Sequence, residues 1–312
     1  MTQKDINIRK QAVFGKNLYP QQPLVLPPLP IIINFLLNDQ TSDELLDETT
    51  KSSIENLMSS KYIKFYFRFF GKSPTSALQT LSENRGKTNM GMVDASRVVN
   101  MLLRGWPVDP IYTASPNPTN ECFTETQIIS NGNVKRIEDL DRKNIGVERI
   151  AMPLSFLTFK NLKEQNISVN KFYIYNNLNS ELKDLLNNKI DAIVTRVSVF
   201  SNNQTGSKIG YFDSEGYPDY PNFKILTTSN FKVPCKIIFI SKLIGSNLKL
   251  ELENKLMDVT SRPETKELIA RGINVASIRK IKSEDWGKIE KLLKDLKNFH
   301  LNTFASEIIK SE

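Results

Sequence analysis

Three arginines stand in short polar runs that follow apolar segments: Arg97 in Asp94-Ala95-Ser96-Arg97, Arg149 in Glu148-Arg149, and Arg196 in Thr195-Arg196. A guanidinium is a planar, permanently charged fork suited to carboxylate, sulfonate or phosphate, so arginines converging from separate loops would clamp a small anion. Hydroxyl, amide and acid groups surround them at the ends of successive apolar runs. Asn38, Asp39 and Thr41 follow one run, Ser73, Thr75 and Ser76 another, and Asp94 and Ser96 a third. Farther on come Glu148 and Ser155, then Asn176 and Asn177, then Thr195. The ligand-binding set predicted from these is Asn38, Ser73, Thr75, Asp94, Ser96, Arg97, Arg149, Ser155, Thr195 and Arg196. A plainer reading stands beside it: each arginine pairs with a local acid, Arg149 with Glu148 for instance, and Ser73 only caps a helix.

Other chemistries lack their parts. The single histidine, His300, argues against a histidine base, a Ser/His/Asp triad and a His-based metal site. Neither GxGxxG nor a phosphate-binding GxxxxGK loop occurs, and no two acids have the spacing of a paired-carboxylate mechanism. Cys122 and Cys235 match no metal motif; they read as buried small residues or, in an oxidising compartment, as a disulfide. Tyr211, Tyr217, Tyr220 and Phe223 fit local packing of a surface excursion better than the wall of a cleft. No catalytic residue, metal or cofactor is expected.

Lysine and arginine outnumber aspartate and glutamate by 42 to 34, and the resulting charge of +8 favours anionic partners. The lysines are scattered without a dense basic run interleaved with aromatics, so nucleic acid is not an expected partner. No segment approaches the roughly 18–20 uninterrupted apolar residues of a membrane span. Residues 24–37 come closest, and Pro27, Pro28 and Pro30 interrupt them. Residues 1–16 are polar with no apolar core, so a secretory signal is absent or has been removed. Removal would place the protein in the periplasm or cell envelope; absence would place it in the cytoplasm.

The elements that must position these residues alternate in type. Residues 31–34, 62–67 and 89–93 read as strands, each followed by a helix: 42–59, 74–82 with Ser73 as its cap, and a third opening at 94–96 and ended by Gly105. A second run begins with a helical lead-in at 137–140 and a strand at 144–147. A helix at 152–165 turns Phe156, Phe159 and Leu162 inward, and one at 180–188 does the same with Leu182, Leu185 and Leu186; strands at 172–175 and 192–194 complete the run. Residues 107–123 read as a connector and 201–222 as a surface excursion. Strands at 224–228 and 236–241 lead to a helical tail over 248–261, 263–271 and 283–301. Such alternation makes parallel sheets with helices on their faces, so the expected class is α/β with two Rossmann-like lobes. Ligands of such sheets bind beyond the carboxyl ends of the strands.

Taken in order, these segments resemble the type II periplasmic solute-binding proteins, specifically the phosphate/phosphonate-type substrate-binding components of ABC transporters. The resemblance is carried by Val134-Lys135-Arg136-Ile137-Glu138-Asp139-Leu140 with Ile145-Gly146-Val147, by Lys189-Ile190-Asp191, and by the tail. In the tail, Val233-Pro234, Arg262-Pro263-Glu264, Ala270-Arg271-Gly272-Ile273 and Ser283-Glu284-Asp285-Trp286 are similar to the family's pattern. It implies two lobes joined by a hinge: residues 25–120 with 240–312, and residues 121–239, behind a polar arm at 1–24. It further implies a monomer that traps a small anionic or zwitterionic solute by hinge closure, delivers it to an ABC permease and does no covalent chemistry. By the same analogy Cys122 and Cys235 lie close to the hinge, which leaves a disulfide between them open beside the reading as buried thiols.

The departures from that family concern the ligand. Its Ser/Thr-rich turn reads Glu148-Arg149-Ile150-Ala151-Met152-Pro153-Leu154-Ser155 here, with one hydroxyl, and its Gly-Pro after the third strand is Asp94-Ala95. Phosphonate is therefore disfavoured, and arginine is expected to replace part of the hydroxyl cradle. Two alternatives share the fold: a ligand-sensing module, and a biosynthetic enzyme with Asp94 or Glu148 as acid or base.

Overall fold

Alternation along the first strand sends Ile33, Phe35 and Leu37 to one face, where all three are buried, and repeats with Ile63, Phe65 and Phe67 on its neighbour. The computed structural model describes residues 31–37, 48–69, 90–148, 152–176, 178–200, 223–228, 231–273, 275–297 and 305–310. Elements in the first half are β1 (Ile31–Leu37), α1 (Glu48–Met58), β2 (Ile63–Phe69), β3 (Met90–Asp94), α2 (Ala95–Leu103), β4 (Val108–Ser115), β5 (Cys122–Ser130), a 3-10 turn (Ile137–Leu140), β6 (Asn144–Glu148) and α3 (Met152–Glu164). The remainder are β7 (Val169–Tyr175), α4 (Leu178–Leu186), β8 (Ala192–Phe200), β9 (Lys224–Thr228), β10 (Val233–Pro234), β11 (Lys236–Ser241), α5 (Ser246–Ser261), α6 (Pro263–Ile273), β12 (Ser277–Lys280), α7 (Ser283–Lys297) and β13 (Ala305–Lys310).

Two mixed sheets result. The first has the order β12-β4-β11-β3-β1-β2, parallel from β3 through β1 to β2 and antiparallel elsewhere. β11 is buried on both sides, with Ile238 and Ile240 facing α5 and α6 residues Leu252, Leu256 and Ile269, while Ile237 and Phe239 face Val98, Ile289 and Leu292 of α2 and α7. The second sheet runs β10-β5-β8-β6-β7-β13, with β9 also on β5; β8, β6, β7 and β13 are parallel. Its faces are covered by α3 through Phe159 and Leu162, and by α4 through Leu182 and Leu185.

Successive elements pass from one sheet to the other between β4 and β5, between β10 and β11, and once more between β12 and β13. Where β4 leads to β5 and β10 to β11, Cys122 and Cys235 form a disulfide, one of the two readings open in the sequence, and the Cys235 amide donates to the Cys122 carbonyl at 2.9 Å. No helix among the described residues is long and apolar enough to cross a membrane.

Several expectations need correcting. The sheets are mixed because the crossing strands enter antiparallel. The predicted connector over 107–123 contains β4; Pro110 is accommodated because the β4–β11 register shifts there, pairing Tyr112 with Ile238 but Pro110 with Phe239. Ile111 is the extra residue of that bulge, where a missing N–H is tolerated. The tail contains strands β12 and β13 as well as helices, and β13 lies on the second sheet, whereas 240–312 was expected to stay with the first lobe. Both are short, polar edge strands without a strong apolar alternation. Leu186 is exposed, one residue and about 100° round the helix from buried Leu185. Phe156 joins the Val98 and Ile289 cluster, not Phe159 and Leu162. The expected helix at 74–82, the excursion at 201–222 and His300 lie outside the described residues.

Candidate functional site

The carboxyl ends of β3 and β6 meet at one side chain. β6 pairs with β8 in parallel only as far as Val147 opposite Val194, while β8 continues as the antiparallel partner of β5, with Thr195 opposite Gln127 and Arg196 opposite Thr126. Thr195 and Arg196 therefore lie within a strand, not in the loop expected after residue 194, because pairing to β5 carries β8 past its parallel neighbour. Arg196 reaches in both directions. Its Nη1 donates to Asp94 Oδ2 at 3.4 Å and its Nη2 to Glu148 Oε2 at 3.5 Å, so one guanidinium spans the two sheets. All three side chains are at most one-fifth exposed.

Asp94 sits at the N-cap of α2 with extended backbone, φ −60° and ψ 148°, yet its carboxylate makes no cap hydrogen bond. A cap aspartate ordinarily bonds an amide of the first turn; this one is engaged with Arg196. Burial works against the Arg196 charge, but the Glu148 and Asp94 carboxylates outweigh it and hold the guanidinium above its ordinary pKa. Lys236 of β11 lies opposite Asp94, and burial lowers its pKa despite the pull of that carboxylate. Nothing in the sequence marked Lys236 as part of this group; its cross-strand register with Asp94 puts it there.

Glu181 is a second residue that sequence reasoning missed. It lies in the first turn of α4, is 0% exposed, and neither carboxylate oxygen has a hydrogen-bond partner. Burial first and the Glu148 charge second drive its carboxyl pKa well up from the ordinary carboxylate range. A Cβ on Gly146 would stand 2.7 Å from Ile190 Cδ1, 3.0 Å from Tyr175 Cε2 and 3.3 Å from Glu181 Cγ. The glycine thus makes the room that Ile190, Tyr175 and Glu181 share. Glu148 lies two residues beyond Gly146 on the same strand face, toward the strand's carboxyl end. The signal was in the sequence: Leu178, Glu181, Leu182 and Leu185 follow the i, i+3, i+4, i+7 stripe, which puts Glu181 on the buried face of α4.

Buried polar atoms without a hydrogen-bond partner concentrate in this region. They include Ser96 Oγ, Asn176 Oδ1, both Glu181 oxygens and Arg196 Nε, all within a few residues of where β3, β7 or the parallel part of β8 ends. Such atoms are uncommon in folded proteins, and a cluster at strand ends marks a place where a solute could complete the bonding. Of the predicted set, the structure brings Asp94 and Arg196 together. Ser96, Arg97, Ser155 and Thr195 are buried close to strand or helix ends. Asn38, Ser73, Thr75 and Arg149 lie outside the described residues. No cluster of three or more potential metal ligands occurs among those described. A separate hollow of about 230 Å³ beside the disulfide is lined by Ser115, Asn120, Cys122, Ser277 and Arg279, but Arg279 is already paired with Glu121 and Asp285.

Comparison with known proteins agrees with this architecture. XAC2383 from Xanthomonas citri, solved with chloride ion and with ATP, superposes with a TM-score of 0.66 at 11% identity, over 85% of this chain and 97% of that one. PhnD1 from Prochlorococcus marinus in complex with methylphosphonate gives 0.56 at 10% identity, over 86% and 99%. The periplasmic aliphatic sulphonate binding protein SsuA from Escherichia coli gives 0.50 at 11%, over 89% of each chain. The chain has the α/β fold of the type II periplasmic binding proteins. Residues 70–232, just over half of its length, match the family model described as NMT1/THI5 like, and the chain belongs to that family. No curated protein matches it by sequence.

Proposed function

We propose that the protein is a solute-binding protein that holds a small polar ligand between its two lobes and hands it, unchanged, to an ABC permease. One observation carries this reading: Arg196, Asp94 and Glu148 join the carboxyl ends of strands from both sheets, where solutes bind in sheets of this kind. The lobes, 31–115 with 236–297 and 122–234 with 305–310, close by bending at the crossing segments beside Cys122 and Cys235. The binding set we propose comprises Asp94, Ser96, Arg97, Ser155, Thr195 and Arg196 from the predicted residues, extended by Glu148. A disulfide in this chain supports an oxidising location such as the periplasm or cell envelope.

A thermal-shift screen of the purified chain against small anions, zwitterions and vitamin precursors tests the reading, since a solute that binds only the native state raises the melting temperature. Recovery of the stabilising solute intact after incubation supports transport. Its consumption would favour a biosynthetic enzyme on the same fold, for which the unpartnered acid Glu181 beside Glu148 is the specific observation in favour.

A further inference from the structure

Arg196 was expected to clamp an anion, but in the folded protein both arms of its guanidinium already face carboxylates. The acids in this region are unequal. Glu148 is partly exposed and bonded at one oxygen to Arg196 at 3.5 Å. Glu181, behind it on the same sheet face, is fully buried with neither oxygen bonded. The helix that carries it begins just after β7 ends, and Glu181 Cγ lies 3.3 Å from where a Cβ on Gly146 would stand, two residues before Glu148. Asn176 Oδ1, between β7 and α4, is a further buried acceptor without a donor. The unpaired acceptors of Glu181 and Asn176 are well matched to a group rich in N–H donors, while Ser96 Oγ and Arg196 Nε, buried donors without partners, suit an anionic end of the same solute.

Given the solute-binding reading above, we propose that Glu148 and Glu181 form a cation subsite and that the solute is a zwitterion whose protonated amine or amidine nitrogen is held there. The exchange balances charge. The solute nitrogen displaces the Arg196 Nη2 arm from Glu148, and the released arm takes the solute's anionic end, so an internal ion pair is replaced by two ion pairs to the ligand. Of the groups packed around Glu181, Glu148 on β6 acts on it as a negative charge, and Tyr175 on β7 is engaged with Asp184 at 2.7 Å. No cation among the described residues acts on Glu181. An arriving ammonium would supply the opposite charge that neither oxygen of Glu181 has within the chain.

Matched pairs of probes test this with the full chain. Each zwitterion is compared with its nitrogen-free twin: 2-aminoethanesulfonate with ethanesulfonate, 4-aminobutyrate with butyrate, and a set of amino acids with the corresponding carboxylates. At least one zwitterion is expected to bind roughly tenfold or more tighter than its twin, the scale of one charge-assisted hydrogen bond. In calorimetric titrations of the same pairs, Glu181→Gln should lose the preference for nitrogen. A separate melt of that variant verifies its fold. Binding of nitrogen-free twins as tightly as the zwitterions, or a preference unchanged in Glu181→Gln, overturns the cation subsite and leaves the solute-binding reading intact. Stabilisation by neither class overturns both.

Discussion

Replacing both Cys122 and Cys235 by Ala should lower the melting temperature by roughly 5–8 °C. The bond joins residues 113 apart in sequence, across the crossing from the first sheet to the second and back. Closing a loop of that length removes about 16 cal/mol/K of entropy from the unfolded chain, equivalent to about 4.8 kcal/mol at 25 °C in the chain-entropy description. Measured disulfides commonly deliver about 2–4 kcal/mol, so about 3–5 is the range to test. Spread over 312 residues at about 2.1 cal/mol/K per residue, that range gives the stated shift. Calorimetric or circular-dichroism melts of oxidised wild type and the double alanine variant make the comparison. Reduction of the folded protein is a poorer test, because both sulfur-bearing residues are more than nine-tenths buried. A shift below about 1 °C, or two reactive thiols in the unreduced but denatured wild type, would refute the reasoning: either the staple constrains nothing or it does not form.

Glu181 makes stability depend on pH with a definite sign. Its carboxyl pKa is raised on folding, so the folded protein keeps a proton that the unfolded chain sheds above about pH 4.5, and stability falls by up to about 1.4 kcal/mol per pH unit from there toward the folded-state value. Urea midpoints for wild type and Glu181→Gln at about pH 5 and about pH 7 should differ in slope, the variant being flatter and the more stable at the higher pH. Gly146→Ala forces Ile190, Tyr175 and Glu181 to move and should cost about 1–3 kcal/mol by urea titration. Arg196→Ala leaves Asp94 and Glu148 largely buried without their shared cation, a loss of about 3 kcal/mol that a second change, Asp94→Asn, should partly restore in thermal melts. Asp285→Ala removes a buried acceptor 2.9 Å from the Arg279 guanidinium and should cost about 2 kcal/mol in the same assay.

The strongly periodic parts of the fold were legible in the sequence. Strands such as Lys224–Thr228 and Lys236–Ser241, and helices with a regular apolar stripe, coincide with the structure within a few residues. β4 was not legible, because Pro110 and the surrounding Pro, Asn and Thr residues carry the composition of a loop. Only the partner strand β11 shows where a bulge absorbs the proline. β12 and β13 were hidden for a related reason. Ser277-Ile278-Arg279-Lys280 is polar because it edges a sheet, and an edge strand takes its shape from the neighbour to which it bonds.

The site was half legible, and the division follows the range of the interactions. Rules about strand ends bring Asp94 and Arg196 into consideration because they depend on local order along the chain. Whether Arg196 faces a solute or an internal acid depends on β8 continuing past Val194 against β5, a long-range pairing that aims the guanidinium at Asp94 of the other sheet. Residue type alone suggested an anion clamp at Arg196, whereas the structure turns its two arms to Asp94 and Glu148. Glu181 is the converse case. Its helical register was readable, and an acid on an apolar stripe is costly enough to demand an explanation. Solvation of a first-turn glutamate is the ordinary explanation, and only its burial behind Gly146 removes it. On the cation-subsite proposal, the cost of burying Glu181 without a partner is recovered when a donor-bearing solute arrives.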